Sequence, residues 1–535
     1  MITLDRASSR SSAVLVQNDR IIAIGGDELR HLAPESARYD LRGSSVVPGL
    51  NDAHNHMMAF GLGLEEVFIG YPEARCIEDI LQLVERRAKQ VKPGAWIVCT
   101  GYDENRLAEK RPPTALELDS RTPQNPVVLK QNSCHMIVAN SAALRLCGID
   151  QHTPDPNGGR IVKDASGRPT GLLQESAQHL VLRHTQDNST QNLVSALERA
   201  SCVMLEEGIT SCHEAGVGNM GPQHLKAFMR AREQEKLGVR VYLMISVAAL
   251  HEIQDVSGDE PHLGLDQGIY TGLGDEWLKI GPVKMFADGS LIGRTCALDE
   301  PYQAEPHNRG FFVTQPTELR KKIIAAHRSG WQIAVHAIGD RAIGSVLDAY
   351  EEALILYPRK NHRHRIEHAG VLNPRLIAKF ANLEVIPVPQ PSFIWELGDG
   401  FVRVLGRQRA DMCYPLKSLA DSGLCVPGSS DRPVTNGAPL MGIHAAVNQV
   451  TQSGKAYCTD QAVSAEQALR FYTQNSAYAS FEENLKGSIE PGKLADMVVL
   501  DEDPTDVPAQ QIMNVRVLAT IVGGKPKFTR DGWSI

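Results

Sequence analysis

The chain has 535 residues, of which 42% are hydrophobic, 22% charged and 5% aromatic, a balance that excludes a peptide hormone, a coiled coil and a disordered tail. Lys plus Arg number 55 and Asp plus Glu 63, so the net charge of −8 leaves no surplus to neutralise a phosphate backbone and argues against a nucleic-acid partner. Ten cysteines without a CxxC pair, no apolar leader and no run of about 18 uncharged apolar residues are what a cytoplasmic protein without export signal or membrane span would show.

Residues 1–47 alternate apolar and polar positions in short bursts, Ala13 to Val16, Ile21 to Ile24 beyond the Asn18-Asp19 turn, and Ser44 to Val47, which predicts hairpins. An apolar strand then runs into Asn51-Asp-Ala-His-Asn-His56. Residues 62–190 are less regular: a helix from Ile77 to Lys92, strand-like runs at 96–100 and 126–129, and a hairpin from Gly159 to Leu173 turning at Ser166-Gly167. A stretch of this length inserted on a barrel loop predicts a lid or pocket wall. From about 280 to 480 strands alternate with helices. The strands are expected at 283–286, 332–335, 364–366, 384–388 and 424–427, and the helices at 316–328, 341–356, 374–380 and 465–477, the last opened by the capping-box spacing Ser464 to Gln467. The final 50 residues return to strands at 495–500, 515–521 and 526–528. Termini often lie close together, so the two β-rich ends are expected to form one small domain.

The alternating region argues for βα units with parallel strands. A doubly wound sheet is allowed, but there is no GxGxxG after a strand and no GxxxxGK[ST], and the length favours a barrel.

The sharpest chemical signal is His54-x-His56 at the end of an apolar strand, because side chains two apart share a face and can reach one metal ion. Two such histidines also arise by chance. What distinguishes them is recurrence: His336, His368 and Asp431 each follow an apolar strand as well, on the face where βα barrels build their sites. Lys284 lies within another apolar strand, where its charge would be costly unless neutralised.

Pro48-Gly-Leu-Asn-Asp-Ala-His-Asn-His56, the His336 and His368 strands, Ser430-Asp431 and the terminal Gly487 to Leu500 together resemble the amidohydrolase superfamily. Pro126-Val-Val-Leu129, Cys134-His135, Asn140-Ser141 and His336 to Arg341 are similar to its third branch, that of the N-substituted formamide deformylases. The resemblance implies a (β/α)8 TIM-like barrel over 48–61 and 191–480, a small β-sandwich domain from 1–47 and 481–535, and a cap over 62–190. It also implies one or two divalent metals, zinc first among them: His54, His56 and Asp431 on the first, His336 and His368 on the second, and Lys284, carbamylated by CO2, bridging them. Glu175 is a rival for the bridge, and an unmodified Lys284 would leave a mononuclear site.

The expected chemistry is attack by metal-activated hydroxide on a small-molecule C–N bond, with Asp431 as the proton carrier. His135 and His213 are candidates to meet the substrate or its oxyanion, Asp340 to orient His336 or cap the next helix, and Asp288 and Arg294 to line the pocket. The alternatives are a mononuclear deaminase of a cyclic amidine, disfavoured because Ala-Ile-Gly-Asp rather than a near Glu follows His336, and a non-catalytic scaffold, disfavoured because every ligand position is filled. A homo-oligomer stays open.

Overall fold

The protein is described here from a computed structural model that covers residues 1–32, 38–185, 188–219, 221–254 and 262–533. Seven parallel strands pair in chain order: β1 (Leu50–Asn55), β2 (Ile209–Val217), β3 (Arg240–Ser246), β4 (Leu278–Phe286), β5 (Ile333–Ala337), β6 (Arg365–His368) and β7 (Ile386–Val388). β2 and β3 are buried at every residue, as expected of parallel strands covered on both faces. Residues 428–432 lie along β1 in the eighth position: Ala53 N–H donates to Gly428 O at 3.0 Å, Asp431 N–H to His54 O at 2.8 Å and His56 N–H to Arg432 O at 2.9 Å. Ser429 Oγ donates to Pro389 O just beyond β7, so this segment spans the gap between first and last strands. The result is a (β/α)8-type barrel.

Helices Pro316–Arg328 and Pro374–Leu383 open with proline at a position whose missing N–H has no intrahelical partner anyway. Helix Asp340–Leu356 turns Ile343, Val346, Leu347, Tyr350 and Ala353 into the core. Three expectations shift in detail. The helix from Ile77 stops at Ala88 instead of Lys92, a residue that Pro93 directly after it disfavours from helical backbone. The strand expected at 424–427 has no ladder; pairing starts at Gly428, while Val426 O is met by Asn475 Nδ2. The helix from Ala465 passes through a π turn over Phe471–Asn475, and the carbonyl this releases, Phe471 O, accepts from Gly428 N–H at 2.8 Å and helps hold the eighth segment.

The inserted stretch forms a six-stranded mixed sheet, in the order Val67–Phe68, Ile97–Tyr102, Val127–Gln131, Met136–Ala139, Pro169–Glu175 and Gly159–Lys163, with apolar clusters of its own. At the ends of the chain, Ser45–Pro48 pairs antiparallel with Met497–Leu500, which continues through Val517–Val522 to Lys525–Thr529. The hairpin Ala13–Gln17 and Arg20–Gly25 joins this unit through Ile21 N–H to Lys493 O and Ala495 N–H to Asp19 O. A buried ion pair, Arg240 to Asp496 at 2.7 Å, fastens the unit to β3. Among the described residues no helix is long and apolar enough to cross a membrane.

Candidate active site

The strand-end residues singled out in the sequence converge at one end of the barrel. His54 Nε2 and His56 Nε2 lie 3.3 and 3.2 Å from the same Asp431 oxygen. His54, His368 and Asp431, all buried, offer ligand atoms within 4.8 Å of one another. The His336 ring centre is 4.5 Å from that of His368. The tight trio thus takes His54 and Asp431 from one expected metal position and His368 from the other.

Each strand histidine has its tautomer set from behind. His54 Nδ1–H donates to Glu367 Oε2 at 2.5 Å, and His368 Nδ1–H to Gln390 Oε1 at 2.7 Å, while the Gln390 amide is oriented by donating to Val388 O and Ser429 Oγ. His336 Nε2–H donates to Gly289 O at 3.2 Å. The opposite ring nitrogens therefore carry lone pairs. His54 Nε2 is buried with no hydrogen-bond partner among the described residues, 3.3 Å from an anionic oxygen. Two lone-pair atoms in that contact repel unless a cation sits between them, so these residues fit a divalent metal. Burial alone would raise the Asp431 carboxyl; with His54 and His56 protonated and donating to it, it is held well below the usual carboxylate range, so positive charge at this spot, on the rings or on a bound cation, keeps it ionised.

Behind the trio is a buried ion pair that sequence reasoning did not single out. Arg365 donates from Nε and Nη2 to both Glu367 oxygens at 2.8 and 2.9 Å, from Nη2 to Ala53 O and from Nη1 to His213 Nδ1. Burial would raise the Glu367 carboxyl, but Arg365 and His54 hold it far down. The signal was present: Arg365 and Glu367 stand two apart in a four-residue strand buried throughout, where charges must find partners. Asp52 does similar work for the eighth segment, accepting from Ser430 N–H at 3.0 Å and Ser430 Oγ at 2.5 Å. Glu214 receives Met57 N–H at 2.5 Å, at the start of the helix that follows His56. His368 and Asp431 have φ of +72° and +56°, a left-handed backbone that costs a non-glycine residue about 1 kcal/mol or more and persists where the surroundings over-determine it.

The remaining candidates are placed differently. Lys284 is buried, its amine 5.0 Å from the Phe286 ring centre, and among the described residues it has no hydrogen-bond or ion-pair partner. Burial lowers it to about 8, against the pull of Glu367 and Asp431. Glu175 is held away from the cluster: its oxygens accept from His135 Nδ1–H and Thr295 Oγ–H, both at 2.7 Å. That leaves the His135 ring 5.2 Å from the His336 ring. His213 accepts from Arg365 inside the barrel through Nδ1, with its ring edge-on to Tyr242. Asp340 accepts from Asp299 N–H in the first turn of its helix, and neither caps that helix, whose N-cap is Gly339, nor reaches His336. Asp288 stands nearer, 3.7 Å from His336 Nε2, and receives the N–H groups of Ala297, Ile338 and Gly339. Burial pushes it up to about 7 against those three donors. Arg294 pairs with Glu305 at 2.9 Å, away from the histidines.

A small inner pocket of about 20 Å³ touches His135, His368 and Asp431; Ser133 and Ser290 add two hydroxyls, and the rest of its wall is mostly apolar, with Leu291, Ile292, Phe393, Leu397, Phe401 and Tyr414. A barrel with histidines and an aspartate at its strand ends, facing an apolar pocket, defines a metal-dependent hydrolase. The comparisons make the assignment specific. A family model described as the amidohydrolase family matches residues 38–528, and the chain belongs to that family. N-substituted formamide deformylase of Arthrobacter pascens is 31% identical, over 99% of this chain and 97% of that one. Protein LONG AFTER FAR-RED 3 of Arabidopsis thaliana is 32% identical over 99% and 90%. The crystal structure of an uncharacterised metal-dependent hydrolase from Pyrococcus horikoshii OT3 superposes with a TM-score of 0.74 at 28% identity, covering 95% of this chain and 97% of the other.

Proposed function

We propose that this amidohydrolase cleaves the C–N bond of a small, non-peptide amide whose nitrogen carries an apolar group, an N-substituted formamide being the simplest such substrate. The observation that carries this reading is the meeting of His54, His368 and Asp431 within 4.8 Å of one another, with His368 and Asp431 on the wall of a pocket whose lining is mostly Leu, Ile, Val, Phe and Tyr side chains. The name of the Arthrobacter relative supports the substrate class.

In this reading His54, His56, His336, His368 and Asp431 hold one or two divalent cations, zinc for preference since four of the donors are imidazoles. Such a cation, when bound, lowers the pKa of water toward neutrality and polarises a carbonyl. The chain's own residues do the rest. The Asp431 carboxylate takes the proton of the attacking water and returns it to the departing nitrogen, so water is added across the C–N bond and formate and a primary amine leave. His135, fixed by Glu175, lines the pocket and would orient the amide. Lys284, buried and with no hydrogen-bond or ion-pair partner among the described residues, would in its neutral form take up CO2, release a proton and become a carbamate able to serve as a further metal donor. Ten free thiols suit a reducing compartment such as the cytoplasm.

The test is formate release from N-alkyl and N-benzyl formamides by metal-loaded protein. Activity should vanish with a chelator and return with zinc, cobalt or manganese; full activity in metal-free protein, or none on any amide of the panel, would sink the proposal.

A further inference from the structure

Two cavities lie on opposite sides of one short loop. The inner pocket uses Ser290, Leu291 and Ile292, and an outer cavity of about 620 Å³ uses Gly293, Arg294 and Thr295. The loop is internally tied: Ser290 N–H donates to Thr295 Oγ at 2.9 Å, Thr295 N–H to Ser290 O at 3.0 Å and Gly293 N–H to Ser290 Oγ at 2.8 Å. Thr295 Oγ–H in turn donates to Glu175. The linings of the two cavities share no residue, and Glu175, which holds His135 on the inner side, ties down the loop between them.

The outer cavity has its own polarity. Arg160 and Gln174 are directly paired residues of two antiparallel strands of the insertion, so their side chains project on one face together. Arg294, His307 and Phe311 come from the barrel side. Glu305, the one carboxylate among the lining residues, is already engaged, by Arg294 at 2.9 Å and by Asn308 Nδ2 at 2.7 Å. The side chains of Arg160, Gln174 and His307 make no hydrogen bond or ion pair among the described residues. The exposed Arg160 guanidinium and His307 imidazole and the half-buried Gln174 amide thus remain available along an open cleft of small-ligand size beside the Phe311 ring. A planar carboxylate is the group that matches an unspent guanidinium fork, and the ring offers a surface for an apolar body behind it.

We propose that the outer cavity is a binding site for a small carboxylate with an aromatic or aliphatic body, distinct from the inner pocket. Its ligand bears on the strand that carries Gln174 and Glu175, and through Glu175 on both the partition loop and His135. The proposal rests on this cavity's chemistry and does not depend on which bond the enzyme cleaves.

Benzoate is a suitable probe, followed by calorimetry on the full chain in metal-loaded and chelator-treated form. One saturable site per chain is expected, with similar affinity in both forms. Benzamide, which keeps the ring and loses the charge, should bind about tenfold more weakly or worse, and so should benzoate to Arg160→Glu, as a hydrogen bond to a charged partner implies. Arg160 is exposed on its strand, so the variant should melt as the wild type does; Gln174→Ala provides a second, smaller weakening in the same direction. No saturable binding would overturn the proposal. Binding lost with the metal would overturn it too, by placing benzoate on the histidine cluster, and so would equal affinity in Arg160→Glu.

Discussion

The barrel rim and the inserted segment meet around the inner pocket but are held in place by different means. On the rim, His54 is fixed by Glu367, Glu367 by a two-pronged ion pair to Arg365, and Asp431 by a segment that Asp52 and the β1 backbone both hold. The insertion carries His135 and Glu175 on a sheet with its own apolar clusters. Its polar contacts with the barrel include Glu175 to Thr295, Asn105 to Arg403, Arg106 to Gln452 and Glu65 to Arg199. The difference divides the labour: strand ends locked into a closed ladder suit metal ligands, which tolerate little displacement, while a separately packed segment can vary to suit different substrates. Changes on the rim should therefore alter metal content, and changes on the insertion should alter turnover with metal content intact.

The largest effect is expected from Asp431→Asn. Loss of the proton carrier and of an anionic ligand together should lower kcat/KM by about 10³-fold or more, with less metal per chain by elemental analysis. Normal metal content with near-normal turnover would break the assignment of Asp431 to either role. Next is Glu367→Gln, which leaves the His54 ring without its anionic partner and Arg365 without its counter-charge. Metal affinity should fall about 10- to 100-fold, read by chelator competition, with a lower melting temperature. An unchanged affinity would show that the rim does not rely on this ion pair to aim His54.

What could be read without a structure follows the same division. His54-x-His56, His336, His368 and Asp431 were legible because a barrel strand has a period of two and ends at the functional face, so residue type and position together announce the site. The alternating elements between 280 and 480 were legible for the similar reason that amphipathic helices with Pro at their start carry their own boundaries. Less could be said of the supporting shell. The Arg365 contact to His213 joins residues 152 apart in the chain, and that of His54 to Glu367 joins residues 313 apart, so neither leaves a local pattern. Glu175 as the holder of His135 depends on how a hairpin of the insertion is laid against the Thr295 loop, which no periodicity encodes. The eighth barrel segment was placed a few residues early because its pairing partners, β1 and the released Phe471 carbonyl, lie far away in sequence.

On the insertion side, Glu175→Gln tests whether His135 contributes through its carboxylate partner. The amide keeps a hydrogen bond but loses its charge, so kcat/KM should drop about tenfold while metal stoichiometry stays that of the wild type. A fall in metal content would move Glu175 back among the ligands and blur the distinction between rim and insertion.

The smallest effect is the most discriminating for substrate class. Phe393 belongs to the barrel's helix Pro391–Leu405, yet it does wall duty: its ring lies 6.2 Å from that of His368 at an interplanar angle of 27° and 5.7 Å from that of Tyr414. Phe393→Leu keeps the wall apolar and removes part of the ring. The added room should shift the ratio of kcat/KM for N-benzyl over N-methyl formamide upward by about fivefold, the size of effect that one or two methylenes' worth of pocket volume gives. Metal content should not change, because His368 is aimed by Gln390 through Nδ1 and not by the ring stacked near it. If the variant lost metal instead, the apolar wall would be part of the ligand scaffold; if the ratio did not move, the substrate's nitrogen substituent would have to lie elsewhere than against Phe393.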